Sequence, residues 1–247
     1  VFAGARALAC CILEAGTAAA KEDAMRFDDR SVAGAALAER LAHLRSAAPV
    51  VVALTRGGVP VGAMVAETLD APLVALSPRK IGHPSQPEYA IAAVCEDGPV
   101  VAGDEGVDGF DPTWLAGAER DARREARRRR EAYGGPELGS AVSGRLAVLV
   151  DDGLATGLTM RAAVGAVGAA GAERVVVAVP VAPRDTVERL AAEVDEVVAV
   201  SVPEPFPGAI GHAYVRFDQV EDGEVRQLLG EAQRRERASA SRATSSS

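Results

Sequence analysis

Two adjacent acids, Asp151 and Asp152, close an apolar run and open a turn of small residues in the stretch Leu146-Ala-Val-Leu-Val-Asp-Asp-Gly-Leu-Ala-Thr-Gly-Leu-Thr159. Ala147 to Val150 read as a short parallel strand buried on both faces, because the run is continuous rather than alternating. A helical pattern opens at Leu158 and Thr159. The carboxyl end of such a strand is where open α/β sheets bind ligands, and the following helix begins with N–H groups that lack intrahelical partners. Gly157 tolerates a positive φ, and Thr156 and Thr159 add hydroxyl donors, so the turn suits a phosphate. Two carboxylates would repel a bare phosphate. They fit a ligand that also carries a diol, a metal ion or a developing cation, as a sugar 5-phosphate does. The ordinary alternative is a strand-to-helix turn with Asp152 near the N-cap, which accounts for one acid but not for both plus the glycines and threonines.

A second glycine turn, Arg56-Gly57-Gly58, follows the apolar run Val50 to Leu54 in the same way. Its glycines let backbone N–H groups approach an anion, and Arg56 adds a charged fork. A basic pair, Arg79-Lys80, follows a further apolar run, Pro72 to Leu76. Taken alone, the first is also a common turn and the second a solvated charge pair.

The acid-pair stretch resembles the PRPP-binding signature of type I phosphoribosyltransferases: apolar strand, two acids, short loop ending in Thr-Gly, then a helix. The resemblance covers roughly Met25 to Leu229 and is to bacterial phosphoribosyltransferase-like proteins rather than to one named salvage enzyme. It implies a type I phosphoribosyltransferase fold, a Rossmann-like core with a small hood. It implies Asp151 and Asp152 on the ribose 2- and 3-hydroxyls, and Gly153, Leu154, Ala155, Thr156, Gly157, Leu158 and Thr159 around the 5-phosphate. Arg56, Gly57, Gly58, Arg79 and Lys80 would receive pyrophosphate. Mg²⁺ is the implied cofactor, carried mainly by PRPP oxygens, with any contact to Asp151 or Asp152 passing through water. The implied partners are PRPP and a small nitrogenous acceptor, in a cytoplasmic enzyme for which a homodimer is common. The hood is expected over the acceptor, in the segment Pro203 to Gln219, where Phe206, Tyr214 and Phe217 could stack on a flat ring. Purine-specific relatives carry an Asp just before the Thr-Gly. Here that position is Ala155, which turns the expectation toward a uracil-like or orotate-like acceptor, or one that is not a nucleobase. The alternatives are a PRPP-binding regulator without turnover, and an unrelated α/β module for another phosphosugar. No Gly-x-x-x-x-Gly-Lys-Ser/Thr occurs, which excludes a P-loop kinase.

The rest of the chain must position these residues. At 247 residues it suits one domain with a substantial core. Aromatics are 4%, so each is worth tracking, and the net charge of −8 argues against broad nucleic-acid binding. Cys10, Cys11 and Cys95, and His43, His83 and His212, show no zinc or redox spacing. No apolar run approaches the ~20 residues that span a bilayer. Residues 1–24 read as an extension outside the fold, residues 25–232 as the domain, and 233–247 as a disordered tail rich in Ala, Ser and Arg.

Helices are expected over 32–44, 59–69, 114–132, 159–170, 185–193 and 221–234, and strands over 50–54, 72–76, 89–95, 147–150, 175–179 and 197–202. Residues 79–88 read as a loop whose part from Gly82 to Glu88 could close over the ligand, and 134–144 as a linker. Alternating strands and helices indicate a mainly parallel sheet covered on both faces. Between Glu119 and Glu131 lie seven arginines and four acids, read as a solvated, ion-paired helix with one or two arginines near pyrophosphate across a dimer interface.

Overall fold

The structure, a computed structural model, describes residues 26–244, with side chains at 240 and 242–244 left aside. The expected extension over residues 1–24 lies outside the described residues. Helix α1 (Arg30–Leu41) starts on Asp29, whose carboxylate accepts from the Ser31 and Val32 N–H groups, and ends in a 3₁₀ turn, Ala42–Ala47. Strand β1 (Val50–Leu54) then leads into α2 (Gly58–Leu69) and β2 (Leu73–Leu76). A smaller unit follows, β3 (Arg79–His83), β4 (Gln86–Val94) and β5 (Val101–Ala102), and then α3 (Pro112–Ala132) and α4 (Leu138–Val142). The chain returns through β6 (Leu146–Val150), α5 (Leu158–Ala169), β7 (Arg174–Val181), α6 (Arg184–Ala191), β8 (Glu196–Ser201) and α7 (Asp222–Thr244).

Five strands form one parallel sheet in the order β2-β1-β6-β7-β8. Every residue of β1 and β6 is buried. Val51, Ala53, Val148, Val150, Val176 and Ala178 face a core shared with α1, α2 and α7, while Val50, Val52, Ala147, Leu149, Val175 and Val177 face the α5 side. That two-sided burial is why the runs are continuous rather than alternating. The order of strands reverses direction between β1 and β6, so their carboxyl ends define the topological switch point at which such sheets bind ligands.

The small hood element is a separate antiparallel sheet, β3-β4-β5. It comes from residues 79–102, not from the stretch after the last strand where the sequence suggests it. Residues 79–88, read as a loop, are β3 and the start of β4, because backbone pairing continues through the Pro- and Gly-rich stretch with a register shift at Gly82. Ile81, Ile91, Ala92 and Val94 pack on Trp114, Leu115 and Ala118 of α3, while Ala93 and Cys95 turn to the main core. Burial pushes the Cys95 thiol up to about 12, an inert packing group.

Two other differences have simple causes. The linker 134–144 holds the single-turn α4, whose Val142 is buried. Helix α7 continues ten residues past its expected end at Arg234, so the stretch expected to be disordered from 233 is helical as far as Thr244. Arg235 bonds Glu67 of α2, and Ala, Arg, Gln and Glu all favour helix. Among the described residues no helix is long and apolar enough to cross a membrane.

The arginine-rich α3 is the ion-paired helix its composition suggests. Arg124 pairs with Asp121, Arg127 and Arg130 with Glu96, and Arg128 and Arg129 with Glu125. Arg123 bonds Glu119 and the carbonyls of Cys95, Glu96 and Gly98, fastening the helix to the end of β4. Hydrogen bonds from Arg128 and Arg129 hold the Glu125 carboxyl down at about 2, and those from Arg130 and Arg127 lower Glu96. A carboxyl lowered in the folded state supports the fold above its unfolded value, 4.5 for both groups, and loses that support as pH falls through its folded value. Stability to urea is therefore expected to drop between pH 5 and pH 2, and Glu125→Gln should flatten part of that drop. An unchanged pH profile in that variant would show that the cluster contributes nothing.

Candidate functional site

The loop after β6 and the loop after β1 meet at the switch point. A methyl group on Gly57 would lie 2.0 Å from Asp152 Oδ2, and one on Gly58 would lie 2.6 Å from the Val150 carbonyl oxygen and 2.8 Å from Asp151 Cα. Only glycine permits this approach. The two loops thus meet at the carboxyl edge of the sheet, with α2 leaving toward one face and α5 toward the other. Gly57 and Gly157 stand at the N-cap positions and bring no capping side chain. The Val59 N–H donates to the Arg56 carbonyl and the Leu158 N–H reaches the Thr156 hydroxyl at 3.5 Å, and helix starts of this kind favour anions. Thr55, at the β1 end, shares a hydroxyl hydrogen bond of 2.7 Å with Ser77 at the β2 end, and the Thr55–Arg56 peptide bond is cis.

The loop 153–159 is held from behind and open in front. Leu154 N–H donates to the Val181 carbonyl, and the buried Thr186 hydroxyl donates to the Ala155 carbonyl at 2.8 Å. Gly153 sits against Ile210 and Val181, and Gly157, at φ +73°, sits against Thr186. Ala155 and Thr156 are exposed and Thr159 half-buried, so the turn offers solvent its backbone and hydroxyls. Arg189 reaches toward the Thr156 carbonyl at 3.4 Å and bridges to Asp104 after β5. Thr186 and Arg189 lie on α6, far along the chain, and no spacing in the sequence linked them to the loop.

The two acids are not equivalent. Asp151 is half-buried, and its Oδ1 accepts the Asp152 N–H. Burial and then the neighbouring Asp152 push its carboxyl well above the usual range. Asp152 is 8% exposed and forms a 2.8 Å ion pair with Arg30 Nε. Burial raises its carboxyl too, and Arg30 opposes that. Asp151 is the more open of the two, and Asp152 is anchored from beneath.

Residues 30–207 match the phosphoribosyl transferase domain. The chain belongs to the phosphoribosyl transferase domain family. Rv0571c and MT0597 of Mycobacterium tuberculosis, two strains' proteins with provisional phosphoribosyl transferase names, are each 46% identical to it over 210 residues. The match covers 84% of this chain and 47% of each relative, so the chain spans about half the length of the curated relatives it matches. Among solved structures, the protein TT1426 from Thermus thermophilus is 46% identical with a TM-score of 0.72, covering 84% of this chain and 99% of that one.

Within this phosphoribosyl transferase domain, the remaining residues singled out in the sequence fall in different places. Arg56 Nη1 lies 3.4 Å from Asp222 at the start of α7, which also accepts from the Tyr133 hydroxyl. Arg79 and Lys80 do not act as a pair. They are successive residues of β3, so they point to opposite faces. Lys80 is exposed, while Arg79 shares the face of Ile81, turned toward α3. Burial and then the nearby Arg129 lower Arg79's hold on its proton.

The aromatic trio is corrected more strongly. Tyr214 is 1% exposed and cannot offer a face to an acceptor. Its ring packs on Phe27 and stacks on Phe217 at 4.9 Å, and its hydroxyl donates to the Asp152 carbonyl at 2.5 Å. Phe206 packs against the main core. Phe217 is 36% exposed, but Arg30 lies over its ring at 3.9 Å. The segment 203–219 forms a 3₁₀ turn, Ile210–Ala213, and pairs with the start of the chain through Phe27 and Tyr214. It supports Asp152 from below. Arg30 was missed in the sequence because a helix-opening Arg beside an Asp cap reads as an ordinary surface residue.

Proposed function

We propose that this domain transfers the 5-phosphoribosyl group of PRPP to a nitrogenous acceptor and releases pyrophosphate. The observation that carries the reading is the contact of the two glycine-lined loops, Asp152 against Gly57 and Asp151 against Gly58, at the switch point. A ribose held by the acid pair would have its 5-phosphate at the start of α5 and its leaving group at the start of α2, on opposite sides of the reacting carbon. One small ligand with two anionic ends and a diol between them matches that layout.

Loss of pyrophosphate leaves cationic character on the ribose, so positioning and electrostatics, rather than a protein nucleophile, would drive the reaction. Asp151 and Asp152 would accept the 2- and 3-hydroxyls and favour the cation. Residues 153–159 would hold the 5-phosphate through backbone N–H groups and the Thr156 and Thr159 hydroxyls. Arg56 would exchange Asp222 for the departing pyrophosphate, with Gly57 and Gly58 admitting it to the backbone and Lys80 or Arg79 adding charge. Among the described residues no three His, Cys, Asp or Glu side chains converge as a metal cage. Mg²⁺ would be held by the ligand's phosphates and waters, with any contact to Asp151 or Asp152 passing through water, and would neutralise the leaving group. Ala155 supplies no carboxylate to a purine, in keeping with a pyrimidine-like or other nitrogenous acceptor.

The test is pyrophosphate release from PRPP and Mg²⁺ across a panel of pyrimidines, purines and amines. Acceptor-dependent release supports the transferase. Tight PRPP binding with no release across the panel would instead assign the site to a PRPP-sensing regulator, and no binding would sink both.

A further inference from the structure

The guanidinium of Arg30 is held on three sides. Its Nε pairs with Asp152 Oδ2 at 2.8 Å, its Nη1 donates to the Asp218 carbonyl at 2.7 Å, and its plane lies over the Phe217 ring. Both members of the ion pair are largely enclosed, with side-chain exposures of 13% and 11%. The backbone of Asp152 is fixed as well, by the Tyr214 hydroxyl. An Arg engaged at Nε, at Nη1 and on its face is pre-organised, and it favours one orientation of the carboxylate it grips. The grip takes Oδ2, and the Asp151 carboxyl bonds the Asp152 carboxyl beside it, so an incoming hydroxyl would meet a carboxylate held in one orientation.

We propose that Arg30 is a positioning residue for the sugar site, and that Phe217 and Asp218 act on the sugar through Arg30, with Tyr214 holding the Asp152 backbone, rather than by touching an acceptor. The inference rests on the transferase reading, because it takes Asp152 as a ribose-hydroxyl acceptor. It adds a role that the acid-pair loop does not contain. A loosely held Asp152 would still carry charge but would no longer present one oxygen at a fixed point. Discrimination for the hydroxyl would then fade while the anion sites on the α2 and α5 starts stay intact.

The experiment compares binding of ribose 5-phosphate, 2-deoxyribose 5-phosphate and pyrophosphate by calorimetry in wild type, Arg30→Met and Arg30→Lys. The wild type should prefer ribose 5-phosphate by roughly tenfold or more, the size of one hydrogen bond to a charged group. Arg30→Met should bind the two sugars about equally while keeping its affinity for pyrophosphate, and Arg30→Lys should restore part of the preference, since a point charge reaches Asp152 without the fork. If Arg30→Met does not fold, Phe217→Leu removes one wall of the clamp and should reduce the preference partially. An undiminished preference in Arg30→Met, or in Phe217→Leu where the former fails to fold, overturns the inference and leaves the transferase reading standing. A wild type indifferent to the 2-hydroxyl overturns both.

Discussion

Asp151→Asn is expected to lower PRPP turnover about 10²–10³-fold, the range for loss of one preorganised group facing developing charge, while raising the melting temperature at neutral pH. The two effects have one cause. Burial and the neighbouring Asp152 raise the Asp151 carboxyl in the folded state, so folding works against its ionised form. A group whose folded pKa lies above its unfolded value supports the fold below the unfolded value, 3.8, and loses that support as pH rises through the folded value. Asn imitates the protonated form at every pH. The gain in melting temperature should therefore be largest at neutral pH and shrink to nothing below about pH 3.8. Asp152→Ala should behave oppositely, costing about 3–5 kcal/mol because it strands the enclosed Arg30. Equal stabilities for the two variants in thermal melts would contradict the asymmetry between the acids.

Gly58→Ala is expected to damage the site as severely, through shape alone. The added methyl meets the Val150 carbonyl oxygen at 2.6 Å and Asp151 Cα at 2.8 Å. Both are backbone atoms of the central strand end, so no side chain can swing aside. Overpacking of this kind costs about 1–3 kcal/mol, and the relief would move the α2 start away from β6. A displacement near 1 Å between reacting groups costs about 10²-fold in rate. Gly109→Ala is the matched control, because nothing lies within 4 Å of its added methyl. Wild-type turnover in Gly58→Ala would show that the two loops need not touch.

What could be read from the chain beforehand follows from burial. β1 lies where expected, at Val50–Leu54, and β6 runs one residue earlier than its expected start at Ala147, over Leu146–Val150; strands enclosed on both faces must be continuously apolar. The glycine turns beside them were legible because their residue types are demanded locally. Of the β3–β4 hairpin only the inner part of β4 was legible, as the strand expected over 89–95; its outer half is exposed from Gln86 to Tyr89 and has no apolar pattern to read. Arg79 and Lys80 looked like a pair in the sequence, and only strand geometry separates them. Tyr214 shows the deeper limit. Its role depends on Phe27 and Asp152, which lie 187 and 62 positions away along the chain, and no local window contains that contact.

The junction of Phe27 with Tyr214 has a practical bearing on any shortened version of this protein. Phe27 N–H donates to Ala213 O, and Val215 and Arg216 return bonds to Phe27 and Asp28, so the two ends of the domain are laced together beneath the acid pair. A fragment trimmed to the homologous span, residues 30–207, would keep every loop residue of the signature yet lose the floor on which Asp152 and Arg30 rest.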